Sequence, residues 1–187
     1  MKKNFSMLAL MIALVIIVSG CDITVSTNGS TSGSKSTATV ASSGNPQFGK
    51  QTKTSNCVAH GGLADSACTP GAIFPNVTTQ QICKPGYSSS VRNVPTSEKD
   101  QVYAEYGITH HSAGQYEVDH LVSLELGGSN DISNLWPEAA SPTPGFHQKD
   151  QVENYLHDQV CSGAMSLKDA QYKIATNWLA VYNTMSH

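Results

Sequence analysis

The chain has 187 residues, 39% of them hydrophobic and 13% charged, with 14 acidic against 11 basic side chains and a formal net charge of −3. That length holds one modest domain. The acidic balance excludes a protein that grips nucleic acid by positive charge spread over its surface.

The first segment has the shape of a secretory signal peptide: Lys2 and Lys3, an apolar run from Met7 to Val18, then Val18-Ser19-Gly20-Cys21. The run is shorter than the roughly 20 residues that span a bilayer. Its ending resembles the bacterial lipobox, which implies cleavage after residue 20, a lipid on the Cys21 thiol and anchoring to a bacterial membrane from outside the cytoplasm. Residues 21–54 are rich in Ser, Thr and Gly. They carry too little apolar surface to offset chain entropy and read as a disordered tether. Residues 55–187 are then the folded domain.

Four cysteines remain after Cys21: Cys57, Cys68, Cys83 and Cys161. In an exported protein two disulfides are expected. Three pairings are possible and sequence does not choose among them; Cys57–Cys68 with Cys83–Cys161 is taken as the working pair. No close Cys-x-x-Cys is present, which argues against zinc as the use of these thiols.

Thr69-Pro70-Gly71-Ala72 and Lys84-Pro85-Gly86-Tyr87 signal turns, with room for one helical turn over residues 78–83 between them. Val91 to Pro95 reads as extended. Residues 97–106 suit a helix with Ser97 as N-cap, Val102, Tyr103 and Tyr106 inward, and Gly107 as the stop. Arg92 is one of few cations here and has the fork that binds phosphate. His110 and His111 are adjacent, so they point apart in an extended chain and read as loop residues.

Tyr116 to Val122 alternates and is β-branched, so it reads as a strand carrying Asp119 and His120. Gly127-Gly128-Ser129-Asn130 is a turn signal, and residues 132–136 read as a returning strand closed by Pro137. Phe146 to Cys161 places Val152, Tyr155, Leu156 and Val160 on one helical stripe. His157 reads as a solvated position on that helix. Ser166 reads as the N-cap of a last helix to about Tyr182, with Ile174, Trp178 and Val181 inward.

Strand, Gly-Gly loop, strand and helix, with Asp119-His120 on the first strand and Asn134-Leu135 on the second, resemble the ββα-metal motif of the HNH endonucleases. The stretch from Cys68 to Tyr116 also resembles exported bacterial proteins that share TPGA, an IC…VR segment and the DHL, LGG and NLWPE core. The HNH resemblance implies an α+β domain: a small ββα-metal core with additional helices, stabilised by disulfides. It implies hydrolysis of DNA or RNA phosphodiesters with His120 as general base. Asp119 would be a metal ligand, and Asn134 would hold the His loop. A helix residue would complete the metal site: His147 first, Asp150 or Asn154 otherwise. The metal would be divalent, Mg2+ first, with Mn2+ or Zn2+ as alternatives. Arg92 and Lys149 would bind phosphate.

The chemistry suits these roles, since a histidine titrates near neutral pH and a carboxylate offers a hard oxygen. One difficulty is local: neighbouring residues on a strand face opposite ways. Another is charge, because losing Lys2 and Lys3 with the leader makes the chain more negative by two. The alternative is a catalytically inactive, lipid-tethered binding or interaction module on the same fold. No protein partner is identifiable from the sequence.

Overall fold

The computed structural model describes residues Phe48–Met185. The leader, the Cys21 lipidation site and most of the tether lie outside the described residues. The chain is mixed: five helices and a two-stranded antiparallel sheet among the described residues, tied by two disulfides. Their order is α1 (Thr79–Ile82), α2 (Tyr87–Val91), α3 (Thr96–Glu105), β1 (Tyr116–His120), β2 (Leu135–Ala139), α4 (Phe146–Cys161) and α5 (Leu167–Tyr182).

Helices α4 and α5 form the main apolar layer. Val152, Leu156 and Val160 of α4 meet Ala170, Ile174, Trp178 and Val181 of α5, with Ile82, Val122 and Leu126 closing the cluster. The stripe differs from expectation at Tyr155, which is exposed. Helix α5 starts where Ser166 accepts from the Asp169 N–H. It kinks at Asn177, whose Oδ1 accepts from the Ala180 N–H and so caps the second half. Trp178 donates its indole N–H to Gly62 O at 2.9 Å, pinning an N-terminal loop to this helix.

Both expected disulfides are present: Cys57–Cys68 and Cys83–Cys161. The second joins the end of α1 to the end of α4, so it ties residues far apart in the chain. His157, read as solvated, is half-buried and donates to Ile82 O at 3.2 Å beside this bridge. Disulfides fit an oxidising compartment. Among the described residues no helix is long and apolar enough to cross a membrane.

Several boundaries move. Residues 48–54, read as tether, belong to the domain. Phe48 packs on the core, Gly49 N–H bonds Gly71 O, and Lys53 pairs with Asp65 at 2.9 Å. Helix α2 was not foreseen. Helix α3 begins at Thr96 with Pro95 as N-cap, two residues before the expected cap Ser97, because Pro95 already has the extended backbone a cap requires. Residues 132–134 form a 3-10 turn instead of a strand. Asp131 Oδ1 accepts from both Ser133 N–H and Ser133 Oγ, which tightens the backbone there. Strand β2 therefore starts at Leu135 and runs through Pro137 to Ala139. In a two-stranded sheet a proline costs no second ladder.

Candidate functional site

The hairpin register sets the site. Asp119 lies opposite Trp136, and Glu117 opposite Glu138. Directly paired residues share a face of the sheet, so Asp119 and Glu138 stand together, and α4 presents Lys149 and Glu153 to them. Lys149 is 0% exposed. Its Nζ donates to Asp119 Oδ2 at 2.6 Å, to His120 O at 2.9 Å, and to Glu153 Oε1 at a shorter distance still. An ammonium has three N–H donors, and all three are used. Asp119 Oδ1 accepts from the His120 N–H at 2.8 Å, and Glu153 Oε2 accepts from Ser123 Oγ at 2.8 Å.

The charges follow from burial and partners. Burial alone would neutralise Lys149, but Asp119 and Glu153 outweigh it and hold its pKa above the usual lysine value. Burial pushes Asp119 up, and Lys149 more than reverses this, so it stays ionised. Burial dominates at Glu138, pushing its pKa to about 10 against the pull of Lys149. As two carboxylates, Asp119 and Glu138 have no bond to make, and both Glu138 oxygens lack a partner. With a proton on Glu138, its O–H donates to Asp119. Burial likewise raises Glu153 to about 7.

The imidazole of His120 belongs to a different network. His120 is 2% exposed. Its Nε2 lies 3.1 Å from Asn130 Oδ1, while Asn130 Nδ2 donates to Val91 O at 2.7 Å and Asn93 N–H donates to Asn130 Oδ1 at 3.1 Å. Since Asn130 Oδ1 can only accept, Nε2 carries the ring proton and Nδ1 keeps the lone pair. Burial lowers the His120 pKa to about 4, and Arg92 and Lys149 push the same way. The ring is neutral at physiological pH. Arg92 is exposed and within electrostatic reach of His120, Glu117 and Asp150.

Asn134 sits at the centre of the loop that follows His120, fully buried. Its Oδ1 accepts from Val122 N–H at 2.9 Å and Ala72 N–H at 3.2 Å. Its Nδ2 donates to Ser129 O at 2.8 Å and Val122 O at 3.0 Å. One side chain thus satisfies four backbone groups. The Gly pair is required by the same close packing. A Cβ on Gly127 would lie 2.7 Å from Val77 Cγ1, and one on Gly128 would overlap the Val122 carbonyl. Gly128→Ala is therefore expected to destabilise the domain by about 3 kcal/mol, read as a lower denaturation midpoint; an unchanged midpoint would show that this loop can yield.

The candidate residues divide as follows. Asp119, His120 and Asn134 lie at one end of the hairpin, but the Asp119 carboxylate and the His120 imidazole belong to separate networks. Lys149, expected to reach phosphate, is instead sealed inside by three oxygen acceptors. His147 is exposed and its ring rests against Phe146 at 4.2 Å between centroids. Asp150 is exposed, and Asn154, also exposed, donates its Nδ2 to Asp150 O. Among the described residues, the His, Cys and carboxylate groups that cluster tightly enough to share an ion are Cys83, His157 and Cys161, whose ligand atoms lie within 4.8 Å of one another. The first and last are joined as a disulfide, so their sulfurs are not free to ligate. Asp119 is in no such cluster, and its two oxygens already hold two N–H donors. The expected metal set does not fit this arrangement.

Lys149, expected to contact phosphate, is joined as a participant by Glu153, Glu138 and Asn130, to which the sequence reading gives no role. A signal existed for the first two: they stand four apart and in phase with Val152, Leu156 and Val160. Glu138 shares the alternation of Trp136. Asn130 carried no signal, since its partners Val91 and Asn93 come from another part of the chain.

No family model matches the chain, and neither curated proteins nor solved structures give a significant match.

Proposed function

We propose that β1, the Gly127–Gly128 loop, β2 and α4 form an HNH-like ββα unit that acts on the phosphodiesters of DNA or RNA, outside the cytoplasm and anchored by a lipid on Cys21. The observation that carries this reading is the Asn134 side chain, whose four hydrogen bonds clamp the loop after His120. In this reading His120 is the base. Its neutral ring takes a proton from water through Nδ1, while Nε2 stays fixed on Asn130. The water oxygen bonds to phosphorus as the bond to the leaving oxygen breaks, and the leaving oxygen takes a proton from solvent. The Arg92 guanidinium binds the phosphate and offsets its charge. No step is assigned to a divalent ion, because Asp119 is engaged by Lys149.

His120→Ala is expected to lower cleavage at least about 100-fold while near-native circular dichroism is kept. Because the free ring has a pKa of about 4, the wild-type rate should be flat from neutral pH downward and fall only near pH 4. Plasmid, single-stranded DNA and RNA assays at several pH values check both. A rate that halves near pH 6.5 would mean that His120 is not buried as described.

A second reading is favoured by the burial of His120 and by the Asp119–Lys149 pair. It is a lipid-tethered binding module on the same fold, without turnover. Under it the folded, disulfide-intact protein cleaves none of these substrates, and His120→Ala changes no binding.

A further inference from the structure

We propose that the Lys149 ammonium is a built-in cation: it holds the position between Asp119 and Glu153 that a divalent ion would otherwise take, so the carboxylate cluster is complete without metal. The inference rests on reading β1, β2 and α4 as a ββα unit, but not on whether that unit cleaves anything.

The geometry carries it in three ways. First, the donors and acceptors match in number. Three N–H groups meet Asp119 Oδ2, Glu153 Oε1 and the His120 carbonyl, and none is left over. Second, the position is closed. Lys149 is 0% exposed, whereas an ion that serves catalysis keeps positions open for water or substrate. Third, the ammonium is held from both sides. Asp119 belongs to β1, and Glu153 lies one turn along α4 and is itself fixed by Ser123 Oγ. Admitting an ion would require the whole lysine stem to leave a filled interior, along with its charge.

The converse also follows. Asp119 and Glu153 are two carboxyls that share one cation. Without Lys149 these two carboxyls and the His120 carbonyl are hard oxygens of the kind that meets Mg2+, Mn2+ or Ca2+. Replacing the ammonium by an uncharged side chain of similar length should create an ion requirement that the natural protein lacks.

The experiment is thermal denaturation of the full protein at neutral pH with EDTA, Mg2+, Mn2+ or Ca2+, for wild type, Lys149→Met and Asp119→Asn. The wild-type midpoint should move by less than about 1 °C between EDTA and any ion, where an ion at a hundred times its Kd would raise it by roughly 8 °C. Lys149→Met should melt lower in EDTA and recover several degrees with Mn2+ or Ca2+. A wild-type midpoint raised several degrees by Mn2+, with the rise abolished in Asp119→Asn, would overturn the proposal. So would a Lys149→Met protein as stable as wild type in EDTA. A rise that survives Asp119→Asn comes from another place on the protein and leaves the cluster free of metal, as proposed. If Lys149→Met does not fold, the wild-type and Asp119→Asn arms decide alone. Cleavage is not read in this experiment, so its outcome is separate from that of the nuclease assay.

Discussion

Asn134→Ala is expected to destabilise the domain by about 4 kcal/mol or more, enough to unfold a marginal fold. The side chain accepts from Ala72 N–H and Val122 N–H and donates to Val122 O and Ser129 O. Truncation leaves all four backbone groups inside the protein with no partner, and each such group costs about 1–3 kcal/mol. Water entering the gap would recover part of this. The loss should not spread evenly. Three of the four bonds hold residues 122–129, the loop between the strands, and the fourth holds Ala72 against it. Hydrogen exchange should therefore accelerate first at Val122 and Ala72, ahead of α4 and α5. Equilibrium denaturation of Asn134→Ala checks the magnitude. A loss below about 1 kcal/mol would mean that the loop is held by its 3-10 turns and glycines, and the comparison with HNH enzymes would lose its main support.

Glu138→Gln should stabilise the protein, by an amount that grows with pH. Burial holds the Glu138 pKa near 10, against 4.5 for an ordinary glutamate. The folded form therefore keeps a proton that the unfolded chain releases. The sign follows from linkage: where the native state binds more protons, stability falls as pH rises. Here the fall runs from about pH 4.5 to about pH 10 and levels off above. The limiting slope is about 1.4 kcal/mol per pH unit, so at pH 8 the wild type gives up on the order of 5 kcal/mol. Glutamine mimics the protonated acid, keeps an N–H to donate to Asp119, and has no proton to lose. Denaturation of both proteins at pH 5, 7 and 9 should show a gap that opens steadily in favour of Glu138→Gln. A gap that is constant, or that closes, would show that Glu138 is ionised in the native state.

These two residues differ in how visible they were in advance. Asn134 could be placed from sequence because its neighbours mark it: a Gly-Gly turn before it, Leu135-Trp136 after it, and the Asp-His pair at the other strand end. Its bonds are mostly local, so local order was enough. Glu138 and Lys149 were visible as positions but not as partners. Each is charged, each lies beside residues that suit a surface, and nothing in a single sequence shows that strand β2 and helix α4 turn them toward each other. Lys149 was read as a phosphate contact because a lysine in a first helical turn is usually solvated. Its phase with Val152, Leu156 and Val160 argued otherwise.

The fold was legible to a similar depth. Helices α4 and α5 follow from apolar spacing, their ends from Ser166 and Gly163, and the two disulfides from four cysteines that follow a leader-like segment. The short pieces were less so. Helix α2 has no strong periodic signal, and residues 132–134 turn because Asp131 bonds forward to Ser133. That residues 48–54 belong to the domain rests on bonds to Ala67 and Gly71, which composition alone cannot foresee.

What the sequence determined by itself is what depends on nearest neighbours: caps, turns, amphipathic faces, the capacity for two bridges, and the hairpin that carries Asp119, His120 and Asn134. The tertiary structure alone decided which groups are charged and which can be reached. His120 is neutral because it is buried beneath Asn130 and the Val91–Asn93 segment. Glu138 is protonated because it is buried, with Asp119 beside it pushing the same way. Asp119 is ionised because Lys149 arrives from a helix thirty residues on. A side chain's type sets which charges it can carry, but its solvent exposure and the distance to its partners set which one it does carry, and both are products of packing.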